Sequence, residues 1–288
     1  MKEVILNADD FGLTPGVNEG IIRAHREGIL SSTTLMASGL AFEDAVRHAK
    51  ENPQLGVGCH LVLVGGTPVA PAKEIPSLVD AQGKLPATLP AFVTRVTSGR
   101  IRTNDIAREL RAQIERIRRA GIEPTHVDTH KHTHAHPRVL NVVCCVAKEC
   151  GIKKIRQPIE SFRKSWLTTA TDRKGTSTQI VAAAVVRTIA PKFRSTLKKY
   201  GMTTPKHFLG LAMTGQVGPE TLRKMVESLE EGTTEIMFHP GVYDGALAKT
   251  GTRLLMQREL ELRALTDPGV RDALKERDVR IISYRELH

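Results

Sequence analysis

The chain has 288 residues, 40% of them hydrophobic and 25% charged, a composition typical of a folded globular protein and not of a disordered one. No apolar run approaches the roughly 20 residues that a membrane-spanning helix needs, and the first residues lack the apolar core of a signal peptide, so we expect a cytoplasmic protein. The formal net charge is +11, but aromatic residues make up only 4% of the chain, which argues against a stacking platform for single-stranded nucleic acid.

Short apolar runs rich in β-branched residues alternate with amphipathic stretches along the chain. The runs predict strands, at residues 3–8, 32–37, 55–64, a segment ending at His130, 154–157, 207–213, 234–238 and 279–284. The amphipathic stretches predict helices, at residues 15–27, 42–50, 90–97, 104–120, 137–150, 179–189, 219–229, 258–265 and 269–276. Residues 168–177 have the composition of a polar loop.

Alternation of strands and helices is typical of parallel β/α units. Eight strands favour one barrel over an open sheet. We therefore predict an α/β fold, a single deviant (β/α) TIM-like barrel covering residues 1–288. Residues 65–103 would form a long loop excursion, and about 159–205 a basic helical insertion.

The histidine-rich stretch at residues 125–137 holds five of the eleven histidines and also Asp128. Such a tract is by itself only a compositional hint of metal binding. It fits a solvated loop, or a strand end that supplies one or two imidazoles to a divalent ion. The stretch alone does not decide between these interpretations.

Five candidate site residues, of which only His130 also belongs to the histidine-rich stretch, fall at or near the carboxyl ends of predicted strands, where barrel enzymes place their active sites. They are Asp9, Asp10, His60, His130 and His239. Taken singly, the aspartates fit a helix cap, His60 fits a core histidine, and His239 fits a turn. Together they supply carboxylates and imidazoles for metal-assisted hydrolysis. Zn²⁺, Co²⁺, Mn²⁺ and Mg²⁺ all suit such oxygen and nitrogen ligands.

The cysteines show no disulfide framework and no CxxC pair. We interpret all four as buried thiols in a reducing compartment, at Cys59, Cys144, Cys145 and Cys150.

Four motifs in chain order resemble those of the YdjC-like carbohydrate deacetylases, relatives of chitooligosaccharide deacetylase. The motifs are ADDFG at 8–12, GxH at 58–60, THVDTHKHTH at 125–134 and FHPG at 238–241. Within that family the chain looks most like the hopanoid-biosynthesis-associated HpnK type. The segments that suggest this are HLVLVGGTPV at 60–69, EIPSLVDAQG at 74–83, HFLGLAMTG at 207–215 and EIMFHPG at 235–241.

The resemblance implies a divalent metal, with magnesium among the candidates, and removal of an N-acetyl group from an amino sugar. The sugar would be the N-acetylglucosaminyl headgroup of a hopanoid lipid, with a soluble chitooligosaccharide or another N-acetylated glycan as the alternative. By motif, Asp10, His60 and His130 would bind the metal, while Asp9 would act as base and His239 as acid. The second-shell or substrate-binding candidates are Phe11, His126, Asp128, His132 and His134. His132 remains an alternative to His130 as the ligand.

The excess positive charge is concentrated between residues 153 and 199, where twelve basic residues accompany two acidic ones. Residues 179–200 combine an apolar face with basic side chains, as interfacial helices do. They predict either peripheral contact with the anionic inner membrane face or an ordinary core-facing helix. A second function class is a non-catalytic basic module that binds membrane or nucleic acid, and a third is another metal-dependent hydrolase on the same scaffold. No nucleic-acid motif is present, so we expect no nucleic-acid partner, and the oligomeric state stays open, a homo-oligomer included.

Overall fold

The protein is described by a computed structural model that covers residues 1–160 and 173–288. Its framework is one sheet of parallel strands in the order β4-β3-β2-β1-β6-β5, with β7 paired to the amino-terminal half of β1. The strands are β1 (Lys2–Phe11), β2 (Ser32–Leu35), β3 (Gly56–Leu61), β4 (Val127–Thr129), β5 (His207–Leu209), β6 (Gly232–Phe238) and β7 (Val279–Ile281). The strand that carries Asp9 and Asp10 therefore lies at the centre of the sheet.

Helices fill the connections between the strands. Their bounds are α1 (Pro15–Arg26), α2 (Phe42–Glu51), α3 (Leu89–Thr97), α4 (Thr103–Arg119), α5 (Pro137–Glu149), α6 (Arg173–Thr188), α7 (Ala190–Tyr200), α8 (Pro219–Glu227), α9 (Gln257–Thr266) and α10 (Pro268–Glu276). Short 3₁₀ turns lie at Ala72–Glu74, His130–Ala135 and Leu247–Lys249. Thr14 caps α1 through its side chain, which accepts a hydrogen bond from the backbone N–H of Val17.

The core lies on both faces of the sheet. Eight consecutive residues of β1, from Val4 to Phe11, are buried, and continuous burial is typical of parallel strands covered by helices on both sides. The main hydrophobic cluster joins β1 to helices α1, α4 and α5. Buried polar groups in such a strand need specific partners, which makes the two aspartates of β1 conspicuous.

The predicted α/β fold with a curled parallel sheet is confirmed, but the predicted count of eight strands and closure into a barrel are wrong for the described residues. The sheet is curled and has seven strands, and the described residues between β4 and β5 contribute only isolated bridges, from Val127 to Ile155, Lys154 to Thr203 and Glu160 to Phe208. Residues 154–157 do not extend into a strand because Pro158 lacks a backbone donor and restricts the residue before it. The fold is therefore an α/β partial barrel.

Helix α6 (Arg173–Thr188) also differs from the prediction, which placed a polar loop over residues 168–177. Residues 173–177 are helical, whereas residues 168–172 lie outside the described part of the chain. Further along the helix, Ile180, Ala183 and Val186 pack against a cluster that includes Phe208. This tertiary contact stabilises a helix whose polar start has little helical propensity of its own.

The helices and the cysteines bear on two smaller expectations. None of the described helices is long and apolar enough to cross a bilayer. All four cysteines are free thiols, but only Cys59 and Cys144 are buried, while Cys145 and Cys150 are partly exposed. The expectation of four buried thiols is wrong for the second pair, because that pair lies toward the solvent side of α5 and at its end.

Candidate metal and catalytic site

The carboxyl end of β1 presents both aspartates to one site. The strand does not end before Asp9, as the sequence suggested, but continues to Phe11 with an irregular register between Ala8 and Phe11. Asp10 has a φ of 68°, a left-handed conformation that is uncommon for a residue other than glycine. A bulge of this kind re-aims side chains that would otherwise alternate between faces. Two adjacent carboxylates can therefore reach the same edge of the sheet.

His60 is oriented by its neighbour across the sheet. His60 on β3 and Asp128 on β4 are partners in the parallel register, and the His60 Nδ1 atom lies 2.7 Å from Asp128 Oδ1. The Thr34 hydroxyl donates a hydrogen bond of 3.2 Å to the other oxygen of Asp128. A carboxylate that holds one imidazole nitrogen leaves the other free to act as a metal ligand. His60 Nε2 points accordingly toward Asp10.

His130 joins Asp10 and His60 immediately after β4. The His130 Nδ1 atom lies 3.3 Å from Asp10 Oδ1 and 3.3 Å from His60 Nε2, and the last two atoms are 3.5 Å apart. The two residues after His130, Lys131 and His132, both have positive φ, of 54° and 50°. This tight left-handed turn ends the strand and separates the side chain of His130 from that of His132.

These three atoms fit a divalent ion. Ligands about 2.0–2.2 Å from a shared tetrahedral ion are roughly 3.4 Å apart, close to the three separations that are present here. Asp10 Oδ1 is buried and has no hydrogen-bond partner, which is costly for a carboxylate oxygen unless a cation is bound. A grouping of Asp10, His60 and His130 is compatible with an ion in the number and chemistry of its donors.

The charge of the buried site also favours a cation. Among the described residues of the site, four buried carboxyl groups pair with two buried guanidinium groups: Asp9, Asp128 and Glu235 with Arg156, and Asp10 with Arg258. Burial penalises unbalanced charge strongly. Asp128, Asp9 and Asp10 outweigh burial and raise the pKa of His60 to about 9, so that a proton supplies positive charge where an ion would bind.

Arg156 holds the other aspartate of β1, Asp9, by two hydrogen bonds. Its two terminal nitrogens each donate a hydrogen bond of 2.7 Å to one oxygen of Asp9. Burial opposes ionisation of Asp9, but the guanidinium outweighs it and holds the pKa of Asp9 well below its usual range. A bidentate fork of this type fixes both the charge and the orientation of a carboxylate. Asp9 is thus held as an ion at a defined angle.

The same guanidinium also links Asp9 to other buried polar groups of the site. Arg156 also bonds to Asp128 at 2.7 Å and to Glu235 at 2.8 Å, and the Tyr284 hydroxyl donates to the other oxygen of Glu235 at 2.5 Å. Sequence reasoning counted Arg156 only as part of the basic excess and missed Glu235 and Tyr284. The available signal was a charged residue inside an apolar strand pattern, which occurs at both Arg156 and Glu235.

His239 directly follows β6 and lies near Asp9. Its Nε2 atom is 4.0 Å from Asp9 Oδ2, and its side chain is 12% exposed. The backbone N–H of His239 donates to Glu261 at 2.5 Å. The imidazole is therefore near Asp9 and still reachable from solvent.

The remaining candidates of the histidine-rich stretch occupy different places. His134 is completely buried, accepts from the Thr129 hydroxyl at 2.6 Å and donates to the Arg156 carbonyl at 3.1 Å. His132 is partly exposed, and its ring lies 6.1 Å from that of Phe208 in an edge-on arrangement. Phe11 is completely buried in the core.

His126 packs against the end of the chain. Its ring is stacked on that of Tyr284, with centroids 3.5 Å apart, and it is completely buried. A Cβ atom on Gly58 would lie 2.5 Å from the His126 ring, which explains why the position two residues before His60 needs a glycine. His126 thus supports β3 from the side and is separate from the Asp10 grouping.

Comparison with known proteins places the chain among carbohydrate-processing relatives. Residues 3–276 match the model of a family described as YdjC-like protein. A carbohydrate deacetylase of Brevibacillus brevis is 36% identical over 99% of this chain and 99% of its own length. A chitooligosaccharide deacetylase of Yersinia pestis is 32% identical over 98% of both chains.

A solved structure has the same fold. It comes from Enterococcus faecalis V583, where it is described as a candidate cellobiose-phosphate cleavage protein, and superimposes with a TM-score of 0.78 at 26% identity, covering 98% of this chain and 97% of its own.

Proposed function

The chain belongs to the YdjC-like protein family, and from this premise we propose that it is a metal-dependent hydrolase that removes the N-acetyl group of an amino sugar. The observation that carries the proposal is the close grouping of Asp10 Oδ1, His60 Nε2 and His130 Nδ1, next to an independently clamped Asp9. Relatives named carbohydrate deacetylases match nearly the whole chain, which supports an enzyme acting on a linear amide C–N bond.

In this proposal Asp10, His60 and His130 hold the ion. When bound, a divalent ion polarises the acetyl carbonyl and increases the acidity of a water molecule. His130 is preferred over His132 because its Nδ1 atom is the one that lies within 3.3 Å of both other ligand atoms. Asp128 and Thr34 keep the His60 imidazole aimed at the site.

Asp9 would accept the proton of the attacking water. Arg156 uses one lone pair on each Asp9 oxygen, and the Asn7 amide donates a further hydrogen bond of 3.1 Å to Oδ1, so the second lone pair of Oδ2 remains for that proton. The depressed pKa keeps Asp9 ionised at neutral pH, although it also weakens Asp9 as a base. His239, 4.0 Å away, would deliver a proton to the departing amine nitrogen.

The test is release of acetate from N-acetylated chitooligosaccharides by the purified protein. We expect release that stops when a chelator removes divalent ions and returns when Zn²⁺, Co²⁺, Mn²⁺ or Mg²⁺ is restored. Release of acetate that continues at the same rate after complete metal removal would contradict a metal-dependent mechanism. Release of phosphate from sugar phosphates in place of acetate would favour another hydrolase on this scaffold.

A lipid-linked sugar, such as the N-acetylglucosaminyl headgroup of a hopanoid, is a second candidate substrate. The observation that favours it is the outer face of α6, where Val181 and Val185 are 63% and 61% exposed, followed by the exposed Lys192, Lys198 and Lys199 of α7. Apolar and basic groups together suit an anionic membrane surface.

Vesicle co-sedimentation tests this second candidate. We expect the protein to bind vesicles that contain anionic lipid at low salt, and we expect Val181→Ser with Val185→Ser to reduce binding without changing hydrolysis of soluble substrates. Absence of binding at low salt, where the attraction is strongest, would leave the soluble oligosaccharide as the substrate class.

A further inference from the structure

Helix α9 places two buried charged residues beside the carboxyl ends of β1 and β6. Arg258 is 1% exposed and Glu261 is 0% exposed, and residues three apart lie on the same side of a helix. They occur on the face that also buries Leu262 and Leu265. Charges on an apolar helix face are costly unless each has defined partners, and each of these two has one partner in the candidate site.

Arg258 holds the carboxylate of Asp10. Its Nη2 atom donates a hydrogen bond of 2.6 Å to Asp10 Oδ2, and its Nε atom donates to the Leu254 carbonyl at 3.1 Å. The guanidinium is therefore fixed from two directions. Because Oδ2 is occupied, it is Oδ1 that faces His60 and His130 without a hydrogen-bond partner.

Glu261 holds the segment that carries His239. One carboxylate oxygen accepts the backbone N–H of His239 at 2.5 Å, and the other accepts the backbone N–H of Gly215 at 2.6 Å. The carboxylate thus ties the end of β6 to the loop after β5. It also lies 3.8 Å from His239 Nδ1, while the opposite nitrogen of that ring faces Asp9.

We propose that α9 is the positioning helix of the site, with Arg258 fixing Asp10 for the ion and Glu261 fixing His239 for proton transfer. The proposal rests on the proposed function for the roles of the ion and of His239. Both residues act through another side chain or backbone group and do not touch the substrate. The competing explanation is that each residue only stabilises the fold, and the two explanations differ in what each substitution changes.

Arg258→Gln tests the first half of the proposal. The shorter amide no longer holds Asp10 Oδ2, so we expect affinity for Zn²⁺ or Co²⁺, measured by chelator competition, to fall about 10–100-fold, as for other outer partners of metal ligands. The visible spectrum of bound Co²⁺ should change as well, since Asp10 is free to reorient. Arg263→Gln makes the same charge change at an exposed position of α9 and should leave affinity and spectrum unaltered.

A folding defect does not remove this test. If Arg258→Gln is not folded, as shown by the lack of a cooperative unfolding transition, Arg258→Lys replaces it in the test. This variant keeps the buried charge but loses the planar fork. We expect its metal affinity to lie between that of the wild type and that of a variant lacking a metal ligand. A folded Arg258 variant with wild-type affinity and an unchanged Co²⁺ spectrum would overturn the positioning role.

Glu261→Gln tests the second half. The amide can accept only one of the two backbone N–H groups, so His239 should shift. We expect kcat to fall about 10–100-fold, the scale of a small misplacement of a reacting group, with KM and Co²⁺ affinity unchanged. Glu276→Gln makes the same charge change at an exposed position of the neighbouring α10 and should leave kcat unaltered. Loss of metal affinity equal to the loss of kcat would indicate general damage and overturn the proposal.

The failure of this inference can be told apart from failure of the proposed function. If the wild type binds Co²⁺ but releases no acetate from any N-acetylated sugar, the deacetylase proposal fails. The Arg258 comparison still has its own result, because it is measured by metal binding alone.

Discussion

Asp9 and Asp10 are adjacent in sequence, yet their carboxylates have different partners. Asp9 is clamped by Arg156, whereas Asp10 is held by Arg258 on one oxygen and faces two imidazoles with the other. The backbone at Asp10, with its positive φ, separates them. Strained backbone of this kind persists where the surroundings hold it in place, often at functional sites.

Because Asp9 and Asp10 have different partners, we expect loss of turnover and loss of metal binding to be separable by substitution. Asp9→Asn removes a proton acceptor but none of the three grouped ligand atoms, so we expect unchanged metal affinity and a loss of turnover of about 10²–10⁴-fold. His60→Ala should lose both metal and turnover. Metal analysis and acetate release on the two proteins measure this, and an Asp9→Asn enzyme with a near-normal rate would remove Asp9 as the base.

The buried His134 should make the free energy of unfolding depend on pH in the acidic range. Burial lowers its pKa to about 3, and the Arg156 charge adds to the effect, so the folded protein keeps it neutral while the unfolded chain takes up a proton near pH 6.5. A depressed histidine pKa means that stability is present above about pH 6.5 and is lost as the pH falls toward 3. The slope should be up to about 1.4 kcal/mol per pH unit from this group.

Denaturant unfolding of wild type and His134→Gln at several pH values between 7 and 4 measures that slope. We expect the variant to be less stable at pH 7 but to lose stability less steeply on acidification, because glutamine does not titrate. Parallel pH profiles for the two proteins would contradict a neutral, buried His134.

Strand β3 shows how one element depends on a neighbour outside the metal grouping. Gly58 lies against the His126 ring, which is stacked on Tyr284. A side chain at position 58 would therefore displace the His126 ring, which packs against the strand that carries His60. We expect Gly58→Ala to cost about 1–3 kcal/mol of unfolding free energy, the range for overpacking, and to reduce activity. Gly245→Ala is the control, since no heavy atom lies within 4 Å of a Cβ at that position.

At the scale of elements, the sequence predicted most strands and helices because their apolar periods are strong. It was wrong for residues 154–157, where two isolated bridges replace a strand, and for the start of α6, where tertiary packing stabilises a polar stretch. It also could not locate Arg258 and Glu261 in the site. Their partners are more than two hundred and more than twenty residues away, respectively, and a single helix pattern contains no information about such distances.

The whole molecule should respond to the ion. A ligand that binds only the folded protein stabilises it by about 2.7 kcal/mol at a hundredfold excess over its dissociation constant, which corresponds to a rise of about 5 °C in Tm for a chain of this size. We expect Zn²⁺ or Co²⁺ to raise the Tm of chelator-treated wild type and to have little effect on Asp10→Asn. An equal rise in both proteins would place the stabilising ion elsewhere.

The central position of β1 has a consequence for how the protein acquires its site. Residues 2–8 of β1 pair with β6, and residues 2–4 also pair with β7, so the strand that bears both aspartates is completed by segments more than two hundred residues downstream. Contacts of such long sequence separation slow folding. During synthesis, Asp9 and Asp10 would emerge from the ribosome long before Arg258, His239 and Tyr284 and remain without these partners until those residues have been made. Binding of metal should therefore be one of the last events of folding, and amino-terminal fragments that stop before β6 should not bind it tightly.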